Sequence, residues 1–232
     1  MIVPHDRDYR YEIKFVIDRA GHPVVEHWLA AKPFFRRSFP QRWVHSVYFD
    51  NASLRTGQNN FDGIANRQKF RVRWYDDAGD GKDPLALEVK VKNGRLGWKA
   101  MARLDLRPSQ LLDQPASRIE KIFHADPAVR DLIPREAALQ PVMYVTYARS
   151  YYLGPQGIRI TFDRNLSFAD ILRDTHTMEQ NHRSYEKGVL EFKFPPTVRD
   201  QASQLMEDLS FYPTRFSKYV TGLSLFGHAV YL

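Results

Sequence analysis

Glu12 and Lys14 stand two residues apart, as do Arg71 and Arg73, Glu88 and Lys90, and Glu191 and Lys193. Side chains two apart share one face of a β-strand. Arg10 precedes the first pair at the same spacing, Lys92 follows the third, and Arg159, Thr161 and Asp163 repeat the pattern. Rows of Arg and Lys suit a polyanion, above all phosphate oxygens, which accept charge-assisted and often bidentate hydrogen bonds. Carboxylates scattered among them suit a divalent cation, or ion pairs that hold the cations in place. Other chemistries find no residues. The chain has no cysteine, so thiolate nucleophiles, thiolate metal sites and disulfides are excluded. There is no Gly-Lys-Ser/Thr phosphate loop and no GxGxxG. The eight histidines show no metal-ligand spacing and read as surface or loop residues.

The elements that must carry these pairs are mostly strands. Apolar and polar residues alternate over 9–17, 44–49, 69–75, 85–92, 144–152, 158–162 and 189–194. Asn93-Gly94 predicts a hairpin into a strand over 96–106. Asp80-Gly81 and 154–157 read as turns. Helical spacing predicts short helices over 23–31, 109–113, 117–124, 127–133 and 200–209. The pattern predicts one α+β domain over residues 1–232, centred on an antiparallel sheet or barrel.

On any single strand a charged face is a solvated face. Here the polar faces are almost purely ionic and mostly cationic, opposite faces rich in Phe, Tyr, Trp, Val and Leu. Like charges crowded on a flat face are costly. The cost falls if the face curls inward around a bound anion and the apolar faces turn outward beneath the helices. The expected fold is therefore an antiparallel β-barrel with a charged lumen, flanked by a few helices.

Bulk properties agree. The formal net charge is +7 and hydrophobic residues make up 43%, so the chain is globular and suited to anionic partners. Aromatics make up 13%. Alternation places them opposite the basic residues, where a base could not stack beside a phosphate contact, and this argues against nucleic acid as the main ligand. Residues 1–10 are polar and charged, unlike a signal peptide. No apolar run approaches the roughly 20 residues of a membrane helix. The expected location is cytoplasmic.

Arg10-Tyr11-Glu12-Ile13-Lys14 resembles the first strand of the VTC domain, the polyphosphate polymerase domain of the triphosphate tunnel metalloenzyme superfamily, in the variant with a basic first position. The resemblance continues in order through 46–50, 70–75, 87–90, Lys99, 147–152, 159–163, 189–193 and 215–219. The segment 98–103 is thinner in basic residues than in relatives, which bears on whether Arg95 or Lys99 faces the lumen. The resemblance implies a tunnel in which ATP gives its terminal phosphate to a growing polyphosphate chain, with Mn²⁺ or Mg²⁺ bridging phosphate oxygens. It implies phosphate contacts from Arg10, Lys14, Arg71, Arg73, Lys90, Lys99, Arg149, Arg159, Lys193 and Lys218, with Lys14, Arg71, Arg73 and Glu191 catalytic. It implies a metal held chiefly by Glu191; Glu12 and Glu88 are expected as further ligands or ion-pair partners, Lys92 at the rim and Asp163 in a structural role. A hydrolase of tripolyphosphate or nucleoside triphosphates, or a non-catalytic polyphosphate-binding module, are the alternatives. Export, or attachment to the inner face of a membrane, would need a separate membrane-protein partner. Oligomeric state is not readable from the chain.

Overall fold

The computed structural model describes residues 10–76, 85–94, 96–112, 114–172 and 182–228. The Asp80-Gly81 turn and Arg95 lie outside them. Nine strands form the sheet: β1 (Tyr11–Ile17), β2 (Arg36–Asp50), β3 (Asn66–Asp76), β4 (Ala86–Asn93), β5 (Leu96–Arg103), β6 (Gln140–Leu153), β7 (Arg159–Asp170), β8 (His182–Tyr185) and β9 (Gly188–Phe194). The order is β1-β9-β7-β6-β2-β3-β4-β5, all antiparallel, with β8 beside β7. Gly94, at φ 61°, turns the β4–β5 hairpin, a backbone conformation that suits glycine.

Residues opposite each other in antiparallel strands share a face. Glu12 lies opposite Lys193, Lys14 opposite Glu191, and Thr161 opposite Glu191. Arg149 faces Asp163, Arg42 faces Arg149, and Ser46 faces Arg73. Arg71 faces Glu88, Lys69 faces Lys90, and Lys90 faces Lys99. One face therefore carries nearly all the charge, as the two-residue spacing demands. The sheet curls around that face into an incomplete barrel. Among the described residues no ladder joins β1 to β5. The gap is crossed instead by Lys90 of β4, whose Nζ reaches Glu12 of β1 at 2.7 Å. Residues 213–217 also cross it. Phe15 bridges Pro213, and Thr214 N donates to Lys14 O at 2.7 Å.

The outward faces are apolar and lie under helices. Phe49, Phe70, Val72, Trp74, Leu87 and Val89 are covered by α3 (Ser109–Leu112), α4 (Ala116–Ala125) and α5 (Pro127–Leu132), with Phe123 stacked on Phe49 at 4.0 Å. Phe15, Ile160, Phe162, Leu190 and Phe192 lie under α1 (His22–Ala30) and α6 (Arg199–Glu207). Two helices had no clear sequence signal. The first, α2 (Arg55–Phe61), is started by Asp50, whose carboxylate accepts from Thr56 N, Thr56 Oγ1 and Gly57 N.

The second, α7 (Lys218–Leu225), has Ser217 as N-cap. It packs on the charged face of the sheet at the end where that face turns apolar. Tyr219, Leu223 and Phe226 meet Tyr48, Met143, Val145 and Phe168 there. Gly222 permits this approach, because a Cβ would sit 2.9 Å from Met143 Cγ. Among the described residues no helix is long and apolar enough to cross a membrane.

Candidate functional site

The concave face holds its charges in three groups. In the first, Glu88 gathers the cations of β3 and β5. Its Oε2 accepts from Arg71 Nε at 2.8 Å and Nη2 at 2.6 Å, and its Oε1 accepts from Lys99 Nζ at 3.0 Å. Arg73 also pairs with it. The Glu88 side chain is only 2% exposed. Burial alone would push its carboxyl up, but Arg71, Arg73 and Lys99 hold it far below the carboxylate range.

Asp163 centres the second group. Its oxygens accept from Arg149 at 2.5 and 2.7 Å and from Lys218 Nζ at 2.5 Å. Burial opposes its ionisation, and the two cations overcome that and keep it ionised. The reading of Asp163 as structural fits this geometry. Lys218 also lies 4.3 Å from the Tyr147 ring centroid. Burial would raise the Tyr147 phenol, yet Arg149 and Lys218 push it below its ordinary value.

The third group lies where β1 and β9 meet the segment at 213–217. Glu191 pairs with Lys193 at 3.0 Å, and Glu12 with Lys90. Lys14 donates to Phe216 O at 3.1 Å and Lys69 to Ser217 Oγ at 2.9 Å. Lys69 forms no ion pair among the described residues. Burial presses its ammonium far below the usual lysine value, and the charges acting on it most are cations: Lys14, Lys90, Arg67 and Arg71. Burial likewise lowers Lys14, with Glu191 opposing.

Lys14, Arg71, Arg73, Lys90, Lys99, Arg149, Lys193 and Lys218 thus converge on one concave face. Arg159 shares it, opposite Lys193, but is exposed at the strand end. Arg10 is exposed just before β1. Lys92 is half-buried on the same face, next in the row after Lys90. Lys69 was missed by the sequence reading, although continuing the alternation of Arg73 and Arg71 by one step reaches it.

Of the two roles expected for Glu88, the ion-pair partner is the one its contacts match, since the β3 and β5 cations hold both its oxygens. Among the described residues no three carboxylate or imidazole groups come together as metal ligands. Two expectations need correction. Aromatics and bases are not wholly on opposite faces. Register puts Tyr75, Tyr147 and Tyr151 on the charged face with Arg73 and Arg149. Some histidines are interior rather than surface residues. His45, on the outer face, is stacked on Trp74 and hydrogen-bonded to Tyr144 and Asp76, while His228 pairs with the buried Asp170 at 2.6 Å.

Glu12 and Glu191 are diagonal neighbours on β1 and β9, close enough for Glu191 to oppose the ionisation of Glu12. Burial also opposes it, but Lys90 prevails and holds Glu12 below its usual value. Mg²⁺ is typically held by one or two carboxylates plus substrate phosphates, so this pair fits a metal that arrives with a phosphate ligand. The same face also carries buried polar atoms with no hydrogen-bond partner among the described residues: Ser46 Oγ, Arg73 Nε, Tyr147 Oη, Tyr151 Oη and Thr161 Oγ1. Such atoms are uncommon in proteins. A polar guest rich in acceptors would satisfy them.

A curled antiparallel sheet with cations in rows along its inner face is a tunnel-type architecture. The VTC domain model matches residues 9–226, and the chain belongs to that family. Its fold is that of the triphosphate tunnel proteins. An adenylate cyclase-like protein from Vibrio parahaemolyticus superposes with a TM-score of 0.55 at 12% identity, covering 94% of this chain and 99% of that one. HpAC1 from Hippeastrum, an adenylyl cyclase-type protein described as having a dominant triphosphatase activity, gives 0.54 at 13% identity, covering 96% and 97%. PH1819 from Pyrococcus horikoshii OT3 gives 0.52 at 11% identity, covering 93% and 99%. At such identities the likeness is one of fold. No curated protein sequence matches this chain.

Proposed function

We propose that this VTC-family chain is a phosphotransferase that moves the terminal phosphate of ATP onto the end of a polyphosphate chain within the cationic lumen. The observation that carries the reading is the charge balance of the third group, where half-buried Lys69 forms no ion pair among the described residues and lies among Lys14, Lys90, Arg67 and Arg71. Such a field favours a multiply charged anion. Phosphoryl transfer asks a protein mainly for positioning and charge neutralisation. Arg71 and Arg73, set by Glu88, present guanidinium groups to the triphosphate, and Lys14, Lys69, Lys90 and Lys193 surround the reacting end. A terminal oxygen of the chain forms a bond to the γ-phosphorus as the bond to the β-phosphate oxygen breaks, and ADP leaves. Glu191, with Glu12 beside it, would hold Mn²⁺ or Mg²⁺, which when bound neutralises phosphate charge. No Ser, Cys or His nucleophile is required.

A second reading, hydrolysis of tripolyphosphate or a nucleoside triphosphate, draws support from α7, which covers one end of the concave face. Incubation with ATP and Mn²⁺ or Mg²⁺ separates the readings. Long-chain polyphosphate with ADP supports transfer. Orthophosphate alone supports hydrolysis, and tight polyphosphate binding without turnover supports a binding module. Glu191→Gln should lower turnover on the order of a hundredfold while sparing tripolyphosphate binding. Unchanged turnover in that variant refutes the metal role of Glu191.

A further inference from the structure

At one end of the concave face, aromatic rings stand beside the arginines. Arg42 lies 4.9 Å from the Phe39 ring centroid and 5.6 Å from that of Tyr75. Arg73 lies 5.1 Å from Tyr75, and Arg149 lies 5.9 Å from Tyr151. Phe39 and Tyr151 meet edge to face at 5.6 Å. Arg73 and Arg149 are the arginines held by Glu88 and Asp163, so these rings adjoin the phosphate-binding rows directly.

A backbone irregularity builds the cluster. Continuing the register from Arg42 opposite Arg149 would place Pro40 opposite Tyr151. The ladder shifts between Phe39 and Arg42, and Phe39 takes that place instead. Bulges at barrel rims commonly re-aim a side chain beside an active site. Here the shift delivers an aromatic ring to the charged face, and that ring is 51% exposed. Leu153, two residues beyond Tyr151 on the same face, is 46% exposed.

Inorganic polyphosphate has no use for such a surface. A ligand with phosphates at one end and a flat π-system at the other does, because bases stack on aromatic rings and on guanidinium planes. We propose that the rim formed by Phe39, Arg42, Tyr75 and Tyr151 is a platform for the base of a nucleoside 5′-triphosphate whose phosphates enter the lumen. The proposal rests on the phosphate-binding reading above and adds to it a means of choosing nucleotides over inorganic chains.

Calorimetric titration of the full chain with ATP and with inorganic tripolyphosphate tests it, because the two ligands share the phosphates and differ in the nucleoside. Phe39→Ala, at a half-exposed position, should weaken ATP binding about tenfold, the scale of one lost base stack, and change tripolyphosphate binding less than about twofold. Phe39→Tyr should restore ATP binding. A short RNA bearing a 5′-triphosphate separates the two sources of the ligand. If Phe39→Ala weakens the RNA as it weakens ATP, the platform stands and serves chain ends too; an effect on ATP alone assigns it to free nucleotides. Equal effects of Phe39→Ala on ATP and tripolyphosphate, or none on ATP, overturn the platform and leave the phosphate site standing. If the wild-type chain binds neither ligand, both the platform and the proposed function fall.

Discussion

The Glu88 group and the pair Lys14 and Lys69 beside Ser217 hold their cations in different ways. Around Glu88, one buried carboxylate takes two arginines and a lysine in short hydrogen bonds. Around Ser217, Lys69 and Lys14 have, among the described residues, only a hydroxyl and a backbone carbonyl as hydrogen-bond partners. The first arrangement fixes the directions of guanidinium groups before any ligand arrives. The second maintains a positive field that an anion would relieve. A lumen of the first kind alone would be stable and only weakly attractive to anions. One of the second kind alone would be attractive and costly to fold.

Glu88→Gln should give the largest effect on this contrast. It strands two arginines and a lysine around a neutral amide at a buried site, and breaking a buried pair in this way costs about 3–5 kcal/mol. Denaturant unfolding measures the loss. A cost below about 1 kcal/mol would equate Glu88 with a surface ion pair. Added tripolyphosphate should recover part of the stability by binding the folded state.

Lys69→Met should act in the other direction. It removes a half-buried cation with no counter-ion among the described residues, so stability should hold or rise by about 1 kcal/mol. Tripolyphosphate affinity should fall about tenfold, as expected for one charge-assisted contact. Equal losses of stability in Lys69→Met and Glu88→Gln would erase the distinction between the two groups.

The smallest effect expected is one of pH. The folded-state pKa of Lys69 is depressed below its ordinary 10.5, so across the interval between them the unfolded chain binds more protons. Stability therefore rises with pH through that interval. The carboxyls of Glu88, Glu191 and Asp163 are depressed from ordinary values of 4.5, 4.5 and 3.8. Their contribution is present above those values and is lost as pH falls toward the folded-state values. Melting temperatures of wild type and Lys69→Met across the alkaline range isolate the lysine. Parallel curves would show that Lys69 titrates normally.

Much of the wall was legible in the sequence, because strand alternation has a period of two and a charged residue out of phase would stand among Phe and Val in the outer cores. Partner choice was not legible. Nothing in the spacing says that Glu88 serves Arg71, Arg73 and Lys99 while Asp163 serves Arg149 and Lys218, since strand order and curl decide this. The tyrosines on the charged face were missed for a different reason. Tyr147 and Tyr151 have the parity of Arg149, but an aromatic residue in a strand is read as core. The early part of β2 was missed because Pro40 and two register shifts interrupt its alternation. For α2 the signal lay outside the helix, in the Asp50 carboxylate that caps it.

The seat of α7 has a consequence for movement. Tyr219, Leu223 and Phe226 cover one end of the concave face, so a polyanion threaded from the Phe39 end would meet their hydrocarbon there. If the proposed transfer takes place in this lumen, each phosphate joined would displace the rest of the chain by one repeat, passing every phosphate from one cation to the next. Such sliding is easy when successive grips are of similar strength and stalls where one grip dominates. Under the proposed polymerase reading, several lysines and arginines set in rows would share the grip and so lower the barrier to each step.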